Sequence, residues 1–379
     1  MFVSVSRQMI SHRMCCGHRF GRVAGLTACA TVVATISVAA GGSAEGLTFS
    51  SNGVAELVVQ LHGSREPVPL RGVPLGRETG LRLLVADNPP FVLDVDRGSV
   101  TRVPGVRAMK RGVLWVVGVA GRAAVVVARS APDAELYAVR GRGARVSYLG
   151  TGRDVTPASD GRAVWIKSFV NRSNCALRQV GLDGREIRAP RSFPCASTIY
   201  AGGSLGLVVN RTRVLDPLTG RTLLKTRWGV LAAAGENLLL AGPGKQFTLM
   251  NAATRAQRRL PGPSILTGLD HQPAVDPRGR LVALAFADPA WNGGGKQALD
   301  VWLLDTKTGE LTQLPGMPAF VSLKRTSMAW THDGWLVLLG ESSGKDIVAV
   351  WRPGQRRLAV QSVHLPERTS GSDSFAALQ

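Results

Sequence analysis

A turn that recurs seven times constrains this chain more than any other feature. Two apolar β runs are joined by a short link carrying Asp, Asn or Pro and, as a rule, a glycine. Phe91-Val92-Leu93-Asp94-Val95-Asp96-Arg97-Gly98 is the first copy and Val350-Trp351-Arg352-Pro353-Gly354 the last. The turn positions fall at 98, 141, 184, 220, 255, 309 and 354, separated by 43, 43, 36, 35, 54 and 45 residues. A period averaging about 43 residues matches one four-stranded propeller blade, roughly 40–45 residues. The link wants Asp or Asn to bond its own backbone and Gly to supply a positive φ.

A second series interleaves with the first, once per unit. It is the glycine ahead of each second strand, at Gly80, Gly121, Gly161, Gly203, Gly235, Gly279 and Gly334. The runs that follow, such as Leu81-Arg82-Leu83-Leu84 and Leu336-Val337-Leu338-Leu339, are apolar without strict alternation. A strand covered on both faces by neighbouring blades reads this way. Pro104, Pro190, Pro261 and Pro315 are read as ending the fourth strands, because proline donates no ladder bond. The fold expected is therefore all-β, a seven-bladed β-propeller of four-stranded blades over residues 45–366. Residues 54–61 are expected to supply a strand of the first or last blade and so close the ring. The Ser- and Gly-rich residues 367–379 are expected to form a flexible tail.

The stretch from Val275-Asp276-Pro277-Arg278-Gly279 through Leu303-Leu304-Asp305-Thr306-Lys307-Thr308-Gly309-Glu310-Leu311 resembles the WD40-like repeat of TolB-type periplasmic and secreted propellers. Met328-Ala329-Trp330-Thr331-His332-Asp333-Gly334 is a second copy and Ala158-Ser159-Asp160-Gly161 a partial one. The resemblance implies an extracytoplasmic seven-bladed propeller acting as a binding or scaffold module. Its motif is structural and identifies no chemistry.

The N-terminus points the same way. Arg7, Arg13, Arg19 and Arg22 precede an uncharged run, residues 23–44, and no acidic residue occurs in the segment. Residues 1–44 are read as a signal peptide, with small-x-small cleavage sites after Ala40 and Ala44. An uncleaved membrane anchor over residues 23–40 and a lipoprotein beginning at Cys29 are the competing readings. Of five cysteines only Cys175 and Cys195 lie beyond this segment. Such a pair in an exported chain is expected to form a disulfide. The start of one strand and the end of the next share an edge, which brings the two sulfurs within reach.

The formal net charge is +20, and without the four leader arginines it is +16. The arginines are scattered at turns, as a high-GC genome also produces. The partner expected is a protein or an anionic cell-envelope polymer rather than nucleic acid, with membrane contact only through an N-terminal anchor and the chain monomeric.

Catalytic patterns are thin. His62, His271, His332 and His364 stand alone, without ligand spacing, so no metal and no cofactor are expected. Asp270-His271 and His332-Asp333 fall where related repeats place turn residues. No Gly-x-Ser-x-Gly elbow occurs. The sequons at Asn171 and Asn210 are set aside. The 54-residue spacing marks an insertion whose Trp291, Asn292 and Lys296 are read as a rim loop. Phe320, Lys324 and Arg325 are placed beside it, and together these six are the candidate binding residues. Trp115, Trp165, Trp302 and Trp351 are read as core. The reading that follows is an exported, non-catalytic binding or scaffold module. The alternative is a propeller enzyme, a lyase or hydrolase of carbohydrate or lactone, with its site at the channel mouth.

Overall fold

A computed structural model describes residues 73–378 apart from 76–78, 107–111, 130–132, 142, 172, 243–245, 261–272, 294–295, 316–319, 324–326, 343–344 and 367–373. The leader with Cys29, the strand expected over residues 54–61, Asp270-His271 and both Lys324 and Arg325 lie outside the described residues. Seven antiparallel four-stranded sheets follow one another along the chain, as the two glycine series require. The third, for example, runs Asp154–Pro157, Ala163–Phe169, Asn174–Gly181 and Arg191–Pro194 from the inside outward.

Burial explains the apolar runs. Among the described residues seven hydrophobic clusters occur, one between each pair of neighbouring blades. Leu83 and Val85 pack against the seventh blade, while Leu84 on the same strand packs against the second. Such a strand needs apolar residues at every position. Each of these side chains, fully removed from water, contributes about 1.5–3 kcal/mol.

Both glycine series adopt positive φ throughout, from +54° at Gly203 to +93° at Gly354, with one substitution. At the fifth outer turn Arg255 stands in the left-handed region at φ +63°. Asn251 makes this possible, its Oδ1 accepting the backbone N–H groups of Ala253 and Thr254 at 3.1 and 2.9 Å. A left-handed L-residue costs about 1–2 kcal/mol, against roughly 0.5–1 for the greater freedom glycine loses. Arg255→Gly is therefore expected to raise stability by about 0.5–1 kcal/mol in urea unfolding; a fall of similar size would contradict the turn assignment. Close approach governs the inner turns as well. A Cβ on Gly121 would lie 2.3 Å from the Gly161 carbonyl oxygen of the next blade.

The tail expectation is corrected. Phe375–Leu378 is the innermost strand of the first blade, paired with Arg82–Val85 and buried at all four positions. The C-terminus thus supplies what the first blade lacks, because that blade's own N-terminal strands start with its second. Val73–Pro74 adds in parallel beside Ala359–Ser362 on the outer edge of the seventh blade. Val73–Pro74 and Phe375–Leu378 thus flank the join of the seventh and first blades. Pro190 is also corrected, since it precedes the outer strand Arg191–Pro194 instead of ending it.

Each blade has two ends. The lower carries the links from first to second and third to fourth strands; the upper carries the links from second to third strands and from blade to blade. Lower-face arginines serve the turns. Arg191 donates to the carbonyls of Leu218 and Thr219 on the next blade, both at 2.6 Å, and Arg258 does the same to Thr308. Arg280 pairs with Asp305 at 3.0 Å. These contacts give several of the scattered arginines a structural use.

Candidate functional site

The insertion of the sixth blade is a strand pair, not a rim loop. Leu281–Gly293 carries Trp291 and Asn292, and Lys296–Asp305 opens at Lys296. Phe320–Leu323 pairs with this extension, Lys296 opposite Leu323 and Leu299 opposite Phe320. The expected neighbours are thus adjacent in backbone, on the upper face. An unbroken apolar run over residues 281–287 carries the ladder into the insertion. Of the tryptophans, Trp165 and Trp351 are core, whereas Trp115 and Trp302 are half-buried.

A denser set of groups stands elsewhere on the upper face, around the third and fourth blades. It begins with a lysine in an apolar strand. Lys167 follows Ala163-Val164-Trp165-Ile166 and sits in register with Asp154 on the inner strand. Its side chain is 1% exposed, and its Nζ lies 2.5 Å from Asp154 Oδ2. The same ammonium donates to the Ser197 carbonyl and, at 3.3 Å, to that of Cys195. Cys195 is held by its disulfide to Cys175, with Cα atoms 5.0 Å apart, as the strand geometry predicts. One buried cation thus joins the inner strand of the third blade to the link leading into the fourth.

The next inner strand, Ile199–Ala201, presents Tyr200. Opposite it, the three residues Asn210, Arg211 and Thr212 link Leu207–Val209 to Arg213–Leu215, with Asn210 and Arg211 both left-handed, at φ +51° and +58°, and the Thr212 N–H donating to the Val209 carbonyl at 3.1 Å. This is the geometry of a type I′ turn, for which Asn-Gly is the favoured pair. Arginine at the second position is an outlier of the kind that concentrates at functional sites. Asn210 fixes the turn: its Oδ1 accepts the Thr198 N–H at 2.8 Å, and its own N–H donates to the Thr198 carbonyl at 3.0 Å. Arg211 is thereby held over the Tyr200 ring, its Cζ 5.1 Å from the centroid. Hydrogen bonding from Thr198, joined by Arg211, holds the Tyr200 phenol below its ordinary value against the opposing effects of burial and Asp154. These side chains face a cavity of about 730 Å³ running along the central channel, which Trp115, Arg153 and Thr156 also line.

None of these groups was singled out from sequence. Lys167 was legible as a charge interrupting an apolar strand, and Asn210-Arg211 as an unusual hairpin pair set aside as a sequon. His332-Asp333 forms the lower turn of the seventh blade, with Asp333 accepting from the Thr331 hydroxyl at 2.5 Å. Among the described residues no three His, Cys, Asp or Glu side chains gather as a metal site would require, and no helix is long and apolar enough to cross a membrane.

No family model matches the chain. No curated protein matches it either. Solved structures do. The periplasmic gluconolactonase of Pseudomonas aeruginosa is 14% identical, with a TM-score of 0.47, and the match covers 79% of this chain and 99% of that one. The acylaminoacyl peptidase of Pyrococcus horikoshii is 12% identical, with a TM-score of 0.49, over 76% of this chain and 51% of the peptidase. The expectation of a non-catalytic scaffold is corrected on this finding, since the named neighbours are enzymes. At such identities they supply neither residues nor a reaction, and the chemistry rests on the site itself. The strand order of the seven sheets establishes the fold: a seven-bladed β-propeller closed by its C-terminal strand.

Proposed function

We propose that this chain is a propeller enzyme, a lyase or hydrolase of carbohydrate or lactone, with its site at the upper mouth of the channel. The observation that carries the reading is the Tyr200–Arg211 pair, a phenol and a guanidinium fixed against each other on the channel wall by a strained turn. A phenol held below its ordinary value gives up its proton more readily than a free tyrosine, which suits it to act as a base. In its ionised form Tyr200 takes a proton, either from a carbon next to a carboxyl group, whose electron pair then expels the glycosidic oxygen on the adjoining carbon, or from a water attacking a lactone carbonyl, whose ring C–O bond then breaks and whose ring oxygen takes the proton back. Both reactions develop negative charge on oxygen, as an enolate or a tetrahedral oxyanion. Arg211 stands beside the phenol to stabilise that charge, and a fixed donor of this kind is worth about 3–4 kcal/mol. Lys167 neutralises Asp154, so the mouth stays electropositive.

Two further parts of the reading rest on the sequence. The charged, acid-free leader and the disulfide pair support export, with the enzyme working outside the cytoplasm as a monomer. The repeat within residues 275–311 supports a place among TolB-type, WD40-like propellers.

The test is turnover of a panel of sugar lactones and uronate-bearing oligosaccharides by the wild type and by Tyr200→Phe, which removes one oxygen and conserves volume. The variant is expected to lose about 10²–10⁴ in kcat with an unchanged melting temperature. Equal rates in the two proteins would sink the assignment.

A further inference from the structure

On the upper face three arginines lie over aromatic rings. Arg153 lies over Phe169 with its Cζ 5.2 Å from the ring centroid, Arg211 over Tyr200 at 5.1 Å, and Arg227 over Trp228 at 4.7 Å. All three are exposed and their aromatic partners half-buried, so each guanidinium is held on an aromatic platform at the surface, Arg211 bonding the Tyr200 phenol as well. Among the described residues no carboxylate lies within ion-pair distance of any of them. Below, by contrast, Arg82 and Arg280 face aspartates, and Arg191 and Arg258 are occupied by turn carbonyls; Arg352 also stacks, 5.3 Å from the Trp335 centroid, but it too donates to a turn carbonyl, that of Asp333, at 3.1 Å.

The platforms follow one another around the ring. Arg153 precedes the inner strand of the third blade, Arg211 is in the upper hairpin of the fourth, and Arg227 lies in the link from fourth to fifth. Arg153 and Arg211 line the channel cavity, and Arg227 stands outside it. Among the described residues the single carboxylate lining the cavity, Asp154, is matched by Lys167. A small lactone seated in the channel would leave Arg227 unused, whereas a ligand meeting all three must carry several anionic groups and extend over the rim. Guanidinium forks bind carboxylates bidentately.

We infer that the substrate of this site is a carboxylated polysaccharide, laid from the fifth blade across Trp228 and Arg227 into the channel mouth, where Arg211 and Arg153 take successive carboxylates. The inference rests on the enzymatic reading of the Tyr200 site and names its substrate class.

Isothermal titration with polygalacturonate, its fully methyl-esterified form and monomeric galacturonate tests it. The acidic polymer is expected to bind, the ester not to bind, and the monomer to bind at least about tenfold more weakly. Arg153→Ala and Arg227→Ala are each expected to cost the polymer about tenfold in affinity. Arg185→Ala, on an exposed lower turn, is expected to cost nothing. Equal binding of the ester, or wild-type affinity in Arg153→Ala/Arg227→Ala, would overturn the inference. Equal affinity for single-stranded DNA would also overturn it, reducing the surface to general polyanion contact. The two readings fail separately. A lactone turned over through Tyr200 by a protein that ignores the polymer defeats only the substrate class. A polymer bound as described but processed equally by Tyr200→Phe defeats only the enzymatic reading.

Discussion

Truncation after Ser374 is expected to abolish cooperative folding. The four residues Phe375–Leu378 are a small part of the chain, yet they form the inner strand of the first blade and contribute to two interblade cores. Ala376 and Leu378 pack toward the second blade and Phe375 and Ala377 toward the seventh. Removing a buried Phe and a buried Leu costs about 3–5 and 2–5 kcal/mol respectively. The ladder to Arg82–Val85 goes with them, and Ser374, which accepts the Val116 N–H at 2.7 Å and the Ala86 N–H at 2.9 Å, loses the strand that holds it in place. The total is on the order of 10 kcal/mol, comparable with the whole stability of a typical domain. The measurement is urea unfolding followed by tryptophan fluorescence. A truncated chain that unfolds at the wild-type midpoint would contradict the closure.

Lys167→Ala is the second large effect. The ammonium is buried and answers three oxygens, those of Asp154, Ser197 and Cys195. Without it a carboxylate and two carbonyls are left between the blades with no donor. Removing one partner of a buried pair costs about 3–5 kcal/mol, more than the intact pair contributes. The double variant Lys167→Met/Asp154→Leu, which removes both charges, is expected to recover most of that loss. Denaturant midpoints of the two variants decide the matter. A loss under about 1 kcal/mol in Lys167→Ala would mean that water reaches the ammonium and the joint is weaker than its geometry implies.

The propeller was legible because its turns impose a chemical demand that composition cannot hide. Fourteen positions need a left-handed backbone, and thirteen of them are glycine. Strands buried on both faces leave an equally plain mark. The disulfide followed from the same edge argument. What escaped were pairings between residues far apart in sequence. Phe375–Leu378 is too short to show a period, and its partner lies almost 300 residues away. The site escaped for a related reason. Its parts are single residues on four segments, Asp154, Lys167, Tyr200 and Arg211, and only the stacking of the third and fourth blades brings them together. Sequence reasoning went to the longest spacing and its tryptophan, a signal of extra length. The Asn210-Arg211 turn is short and marks a functional position by strain instead.

The role of Tyr200 as the proton-transfer group is open to a test that needs no substrate. The chain has only three tyrosines, so the phenol carbons of protein labelled with ¹³C-tyrosine can be assigned by substitution and titrated by NMR. Tyr200 is expected to ionise below the ordinary value of 10.0, and Arg211→Ala to move it upward. Ionisation at or above that value in the wild type, or a titration indifferent to Arg211, would contradict the site.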